Sequence, residues 1–349
     1  MHPVIHRFFH RAMGAVLFAL LCGAIPVAQA APPRPIPVKV MIVTMFGPEA
    51  QTWLKHFHQP RNIAVPGLPE NHPDVTCQSD GLCLMTTGMG HANAAASMMA
   101  VLFSPRFDLR HTYFLVSGIA GINPREGTLG TTAWALYLVD FGLQWEIDAR
   151  EKPANWSSGY LGINTRDPEQ FPPLDYRTEV FSLDAKLVNK AYALSRNVKL
   201  VDSAEMTAYR AQYPYAPANQ PPHVTQCDTL SGDTWWSGDL LGQRAEQWTR
   251  MLTLGKGTYC TTQQEDNATY EALKRATAAG RADMNRVAVL RAGSDFDRPP
   301  PGMPAAENLL DYPKQGGFMP ALDNLYLTGE PLVHAILAHW DVWRAGIPD

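Results

Sequence analysis

Long apolar runs are scarce in this chain, and their scarcity excludes one large class of function. Beyond residue 30 no run reaches the roughly 18 apolar residues that a membrane-spanning helix needs. A channel or carrier requires several such runs, so the chain past its leader is expected to be soluble. Charge is scarce too. Asp, Glu, Lys and Arg make up 18% of the 349 residues and nearly cancel, leaving a formal net charge of -4. Nothing in that balance attracts nucleic acid or an anionic membrane. Cysteine occurs five times, never as CxxC and never beside clustered histidines, so no metal site is indicated. Internal repeats and low-complexity tracts are absent. What the chain has in quantity is apolar residues, 46%, enough for a large core. Its 26 Gly and 29 Pro imply many loops.

The first thirty residues differ from the rest. His6, Arg7, His10 and Arg11 form a cationic start, Ala12 to Ala24 is almost wholly apolar, and Ala28-Gln29-Ala30 precedes Ala31-Pro32. This is the layout of a secretory signal peptide cleaved after Ala30, with an uncleaved anchor as the rival. Cys22 does not indicate lipidation, because Leu20 and Leu21 are too bulky for the positions before a lipidated Cys. Cleavage leaves Cys77, Cys83, Cys227 and Cys260, an even number in an oxidising compartment such as the periplasm. Cys77 and Cys83 flank a turn between two strands and are expected to pair; Cys227 with Cys260 is the remainder.

The mature chain alternates strands with glycine-bearing turns and helices. Strands are predicted over 38–44, 82–86, 113–116, 132–139, 224–231 and 286–291, and 257–261 leads up to the fourth of the helices. Helices are predicted over 49–57, 92–103, 183–195, 265–279 and 326–343. Ser117–Gly121 and Ala292–Asp295 are read as turns, and 297–318 as a loop. Residues 141–222, rich in Pro, Asn and aromatics, are read as an irregular insert in one domain spanning 31–349. The alternation points to an α/β sheet. Glu49, Ser117, Trp235, Glu265 and Asp295 all fall just past predicted strands, the edge where α/β sheets bind ligands.

Those same segments carry a resemblance. Arg291-Ala292-Gly293-Ser294-Asp295 is similar to the RxxSD segment of the nucleoside phosphorylase and methylthioadenosine nucleosidase superfamily. Ser231–Trp236 resembles its SGDxF segment, and Gln263-Gln264-Glu265 stands where that superfamily has Glu-Met-Glu. Val116–Gly121 resembles its glycine-rich segment beside the sugar. Gln263–Tyr270, Arg291–Arg298 and Val116–Pro124 resemble, more narrowly, the purine nucleoside permease family. The resemblance implies a three-layer αβα sandwich around a central mixed sheet, a homo-oligomer, and a purine nucleoside as ligand. It implies that Asp295, oriented by Ser294, protonates or hydrogen-bonds the purine N7, and that Trp235 stacks on the base with Trp236 beside it. Glu265, flanked by Gln264 and Asp266, would grip the ribose hydroxyls near Ser117 and Gly118, and Glu49 would activate water. The plainer alternatives are a helix cap for Ser294-Asp295, a core Trp235, and helix-start carboxylates for Glu265 and Glu49.

Cleaving a purine N-glycosidic bond builds positive charge on the sugar and negative charge on the base, so an acid at N7 and a stabilised sugar lower the barrier. A phosphorylase needs cations around its phosphate. Residues 44–49 and 87–93 contain no Arg or Lys and only His91, which favours hydrolysis, although Arg125 stands as a candidate on the sugar side. Phosphorolysis is the alternative. The third possibility is a non-catalytic nucleoside-binding protein serving uptake. No cofactor is expected beyond phosphate in the phosphorolytic case.

Overall fold

The computed structural model describes residues 34–349; the expected leader, its cleavage after Ala30 and Cys22 lie outside them. One mixed sheet of twelve strands organises the chain. In order these are β1 (Val40–Thr44), β2 (Arg61–Ala64), β3 (Asp74–Cys77), β4 (Leu82–Thr86), β5 (Tyr113–Ile122), β6 (Thr132–Trp134), β7 (Tyr137–Asp140), β8 (Val180–Ser182), β9 (Val224–Gln226), β10 (Asp228–Ser231), β11 (Tyr259–Gln263) and β12 (Val287–Phe296). The helices used below are α1 (Gly47–Leu54), α2 (His91–Leu102), α3 (Ala185–Ser195), α4 (Ala204–Arg210), α5 (Asp239–Leu252), α6 (Asp266–Ala278), α7 (Ala305–Leu310), α8 (Phe318–Ala338) and α9 (Trp340–Ala345). The α/β sandwich expected from the alternation is what forms. Helices α1 and α3 pack with α8, which lies over β5 and β12, and α2 packs on α6. Every residue of β1, β4 and β12 is buried, as strands covered on both faces should be.

Two expected turns are strand instead. β5 runs on through Ser117–Gly121, and β12 runs on through Ala292–Asp295. They pair in parallel from Val287↔Phe114 to Phe296↔Ile122. Glycine reads locally as punctuation, but here a long ladder holds it extended. Ser294 and Asp295 therefore cap no helix. The strand expected over 132–139 divides after Trp134, because β6 pairs with β12 whereas β7 pairs with β10. The one expected over 224–231 divides at Cys227, where the chain leaves β6 for β11. The expected loop 297–318 contains α7, and the closing helix starts at Phe318 rather than Tyr326, breaking at His339 before α9.

Both expected disulfides form, Cys77–Cys83 across the register of β3 and β4, and Cys227–Cys260 between the β9–β10 junction and β11. Within 141–222, α3 and α4 are capped by the side chains of Asp184 and Ser203. The segment is tied to the end of β12: the Tyr213 ring packs 4.4 Å from that of Phe296, and its hydroxyl donates to the Arg298 carbonyl at 2.7 Å.

The feature that creates a site is a gap along β5. One edge of β5 pairs with β12 throughout. The other pairs with β1 as far as Val116 and with β11 only from Gly121. Between them, residues 117–120 have no strand partner on that edge, so backbone groups there must find other partners or face a ligand.

Candidate functional site

Glu49 fills the gap. It sits in the first turn of α1, which Pro48 helps to start, and its buried carboxylate accepts the Met45 N–H at 2.7 Å and the Ile119 N–H at 2.8 Å. Burial pushes its pKa up to about 8, against the pull of Arg291. Gly118 lies at the centre of this contact. A Cβ there would stand 1.9 Å from Met45 Cε, 2.5 Å from Arg291 Nη1 and 2.8 Å from Glu49 Oε1. Ser117 departs from expectation. On a strand, successive side chains take opposite faces, and that of Ser117 points into the core, where its hydroxyl accepts the Trp53 indole N–H at 3.0 Å.

A second layer of charge supports the first. Arg291, fully buried on β12, donates to both Asp266 oxygens, to Glu265 Oε2 at 3.4 Å, to Gln263 Oε1 at 3.3 Å and to the Ile119 carbonyl at 3.2 Å. Burial opposes its charge, but Asp266 and Glu265 hold its pKa above the ordinary arginine value. Glu265 ends at the cavity with Oε1 accepting the Gly90 N–H at 3.0 Å; burial raises its pKa. Gln263, where the superfamily has Glu, accepts the N–H groups of Glu265 and Asp266 at 2.7 and 3.0 Å and donates to Ser231 Oγ at 2.8 Å. It thus satisfies orphan donors at the start of α6. An amide does both jobs at once, which accounts for the departure.

The acid lies in the same lining. Ser294 Oγ donates to Asp295 Oδ1 at 2.7 Å. Asp295 Oδ2 has no hydrogen-bond partner among the described residues, and the residue lines the cavity. Burial pushes the Asp295 pKa up to about 6. Trp235, half exposed, packs against Tyr312 with ring centroids 4.9 Å apart, and the buried Trp236 packs on Phe141 at 5.8 Å. Gln264 Nε2 ties this loop to β11 by donating to the Asp233 carbonyl at 2.7 Å. Phe46 and Phe318, also in the lining, pack with tilted rings whose centroids are 6.2 Å apart.

The enclosed volume is about 410 Å³, within the range of small-molecule sites. Glu49, Trp235, Trp236, Gln264, Glu265, Ser294 and Asp295 all line it, while Ser117 and Gly118 do not. Arg291, Phe46, Met89, Tyr312 and Phe318 line it without having been anticipated. Only Arg291 carried a signal, as the first residue of the RxxSD segment. Among the described residues it is also the sole Lys or Arg in the lining; Nε and Nη2 are taken by Asp266, Glu265 and Gln263, and Nη1 donates to the Ile119 carbonyl. Arg125 pairs with Glu246 at 3.2 Å and is not part of the lining.

Known proteins resemble this chain over most of its length. Residues 37–348 match the family model described as purine nucleoside permease (NUP). A probable purine nucleoside permease of Schizosaccharomyces pombe is 41% identical over 319 residues, covering 87% of this chain and 90% of the relative. A purine nucleoside permease of Candida albicans is 38% identical over 328 residues, covering 91% and 80%. The S-adenosylhomocysteine nucleosidase of Streptococcus pyogenes, solved with 5-methylthiotubericidin, shares the fold at a TM-score of 0.50 and 12% identity, with 85% and 98% covered. The chain belongs to the purine nucleoside permease family.

Proposed function

We propose that the chain binds a purine nucleoside in this cavity and cleaves its N-glycosidic bond, with water as the acceptor, outside the cytoplasm. The observation that carries the reading is the free Oδ2 of Asp295. A buried carboxyl held on one oxygen by Ser294, with the other turned to the cavity and its pKa raised toward neutrality, is placed to pass a proton to a leaving base. Trp235 and Trp236 supply aromatic faces on that side, and aromatic contacts of this kind contribute roughly 0.5–1.5 kcal/mol beyond area burial. Glu265 supplies acceptors for hydroxyls across the cavity. Water is preferred to phosphate because the one cation in the lining, Arg291, is already engaged by carboxylates, and a bound phosphate needs free donors. Two disulfides support an oxidising compartment.

A second reading is binding without cleavage, in which the chain captures nucleoside for uptake by another protein. It is favoured by Glu49, both of whose oxygens already accept backbone N–H groups and whose pKa of about 8 leaves little free base at neutral pH. The deciding experiment incubates the protein with adenosine, inosine or guanosine, with and without phosphate, and assays free base, ribose and ribose 1-phosphate. Base and ribose without phosphate support hydrolysis. Ribose 1-phosphate identifies a phosphorylase, and bound but unchanged nucleoside identifies a carrier.

A further inference from the structure

A second cavity, of about 290 Å³, lies in the cleft between α2 and α6. Part of its wall is apolar, Ala95 and Met99 on one helix and Ala268 and Ala272 on the other, with the paired Glu271 and Arg275 of α6 beside them. Helix residues four apart share a face, so each helix presents a smooth stripe to the cleft. At the inner end three polar side chains are left short of partners. Asp140, 6% exposed, accepts the Gly142 and Leu143 N–H groups through Oδ1, both at 2.7 Å, while its Oδ2 has no partner among the described residues. Asn267, 2% exposed, donates to the Thr178 carbonyl at 2.8 Å, but its Oδ1 is buried without a donor. His91 Nε2 is buried without a partner as well. Buried polar groups are satisfied in the great majority of cases; two buried exceptions, Asn267 Oδ1 and His91 Nε2, beside the unpartnered Asp140 Oδ2, describe what would fill the cavity.

The missing groups are mainly donors. Asp140 Oδ2 and Asn267 Oδ1 can only accept, and the carboxylate has no cation on it. Arg275, which lines the cavity, does not serve, because it and the neighbouring Lys274 both bind Glu271, at 2.8 and 3.1 Å. Burial holds the Asp140 pKa above the ordinary carboxylate value, with His91 the main opposing influence, as befits a carboxylate lacking a counter-ion. We propose that this cavity is a binding site for a small protonated amine, its ammonium group donating to Asp140 Oδ2 and Asn267 Oδ1 and its short apolar stem lying between the alanines of α2 and α6. The site shares an element with the nucleoside cavity. The Gly90 N–H at the start of α2 holds Glu265, and the His91 N–H donates to Asp233 Oδ1 at 2.8 Å, so an occupant here would press on the helix start that positions Glu265.

The test uses n-butylammonium as probe, with butanol as its neutral and butyrate as its anionic counterpart, titrated into the whole protein and followed by saturation-transfer NMR. The expected result is saturable binding of butylammonium at least tenfold tighter than butanol, with butyrate weaker still. Asp140→Asn keeps an Oδ1 for Gly142 and Leu143 and should remove the preference for the cation. Ala268→Leu should block all three probes. Circular dichroism and the melting temperature, read in parallel, report that each variant is folded, and the cation preference of the parent chain holds whatever the first cavity does to nucleosides. Equal binding of butanol and butylammonium, retention of the preference in Asp140→Asn, or no saturable binding, meaning water only, would each overturn the proposal.

Discussion

Glu49 accepts the Ile119 N–H at 2.8 Å at the one place where β5 lacks a strand partner on that edge. The carboxylate stands in for a missing strand, and it does so buried. Its pKa rises from 4.5 to about 8, mainly through loss of solvent. Between those values the folded chain holds a proton that the unfolded chain has released. The stability this group contributes is complete below pH 4.5 and is lost as pH climbs through 8. Glu49→Gln does not titrate. The melting temperature of the parent should therefore fall relative to that of Glu49→Gln between about pH 5 and pH 9. Parallel curves across that range would show that Glu49 is ionised throughout.

Asp295→Asn separates proton donation from binding. Asn keeps an oxygen for the Ser294 hydroxyl, which now donates to Asp295 Oδ1 at 2.7 Å, and its amide N–H still reaches a base nitrogen. It cannot give up a proton. Turnover should drop by about 10²–10⁴-fold, while the dissociation constant for nucleoside changes less than about tenfold. An unchanged rate removes Asp295 from the chemistry.

If Asp295 is the acid and Glu49 the base, their pKa values are ordered the opposite way to their tasks. Asp295, at about 6, has to keep its proton, and Glu49, at about 8, has to lose one. At pH 7 each condition is met in about one molecule in eleven, and both together in about one in a hundred. The rate should be level between about pH 6 and pH 8 and fall on both sides, with the two breaks belonging to the pair. Glu49→Gln should lose the dependence on the upper pKa. A rate that rises steadily with pH would point to hydroxide or to another base.

The layered α/β sheet was legible because its strands are short, almost wholly apolar and bounded by turn residues. That Asp295, Glu265, Trp235 and Glu49 would share one cavity was legible because ordered short motifs follow those strands. The extension of β5 and β12 was not. Gly118, Gly121 and Gly293 interrupt both apolar runs, and only the parallel register between segments some 170 residues apart keeps them extended. Ser117 was misplaced for the same reason: a turn would have presented its hydroxyl, whereas a strand turns it toward Trp53. The aromatic rim of Phe46, Tyr312 and Phe318 is assembled from loops and element ends distant in sequence, and an isolated aromatic carries no mark of the cavity it will face. Gln263 looked like a defect in the motif. Its partners at the start of α6 explain the amide.

Gly118→Ala probes whether the site is as rigid as its hydrogen bonds imply. Gly118 is not in the left-handed region, so the added methyl strains nothing in the backbone, and the effect is one of space alone. Of the three atoms it would strike, Met45 Cε belongs to a flexible side chain that can swing away. Arg291 and Glu49 cannot, since one is fixed by Asp266 and the other by two backbone N–H groups. Relief by moving Glu49 reopens the gap in β5, and relief by moving Arg291 leaves buried carboxylates unpaired, a loss of about 3–5 kcal/mol for such pairs. The variant should melt lower and bind nucleoside at least about tenfold more weakly. Gly47→Ala is the control. Its methyl would meet only His72 Cε1, at 3.8 Å, an ordinary contact, so its binding should change much less. Equal behaviour of the two variants would mean that Glu49 and Arg291 yield freely, and that the β5 gap does not hold them where a nucleoside needs them.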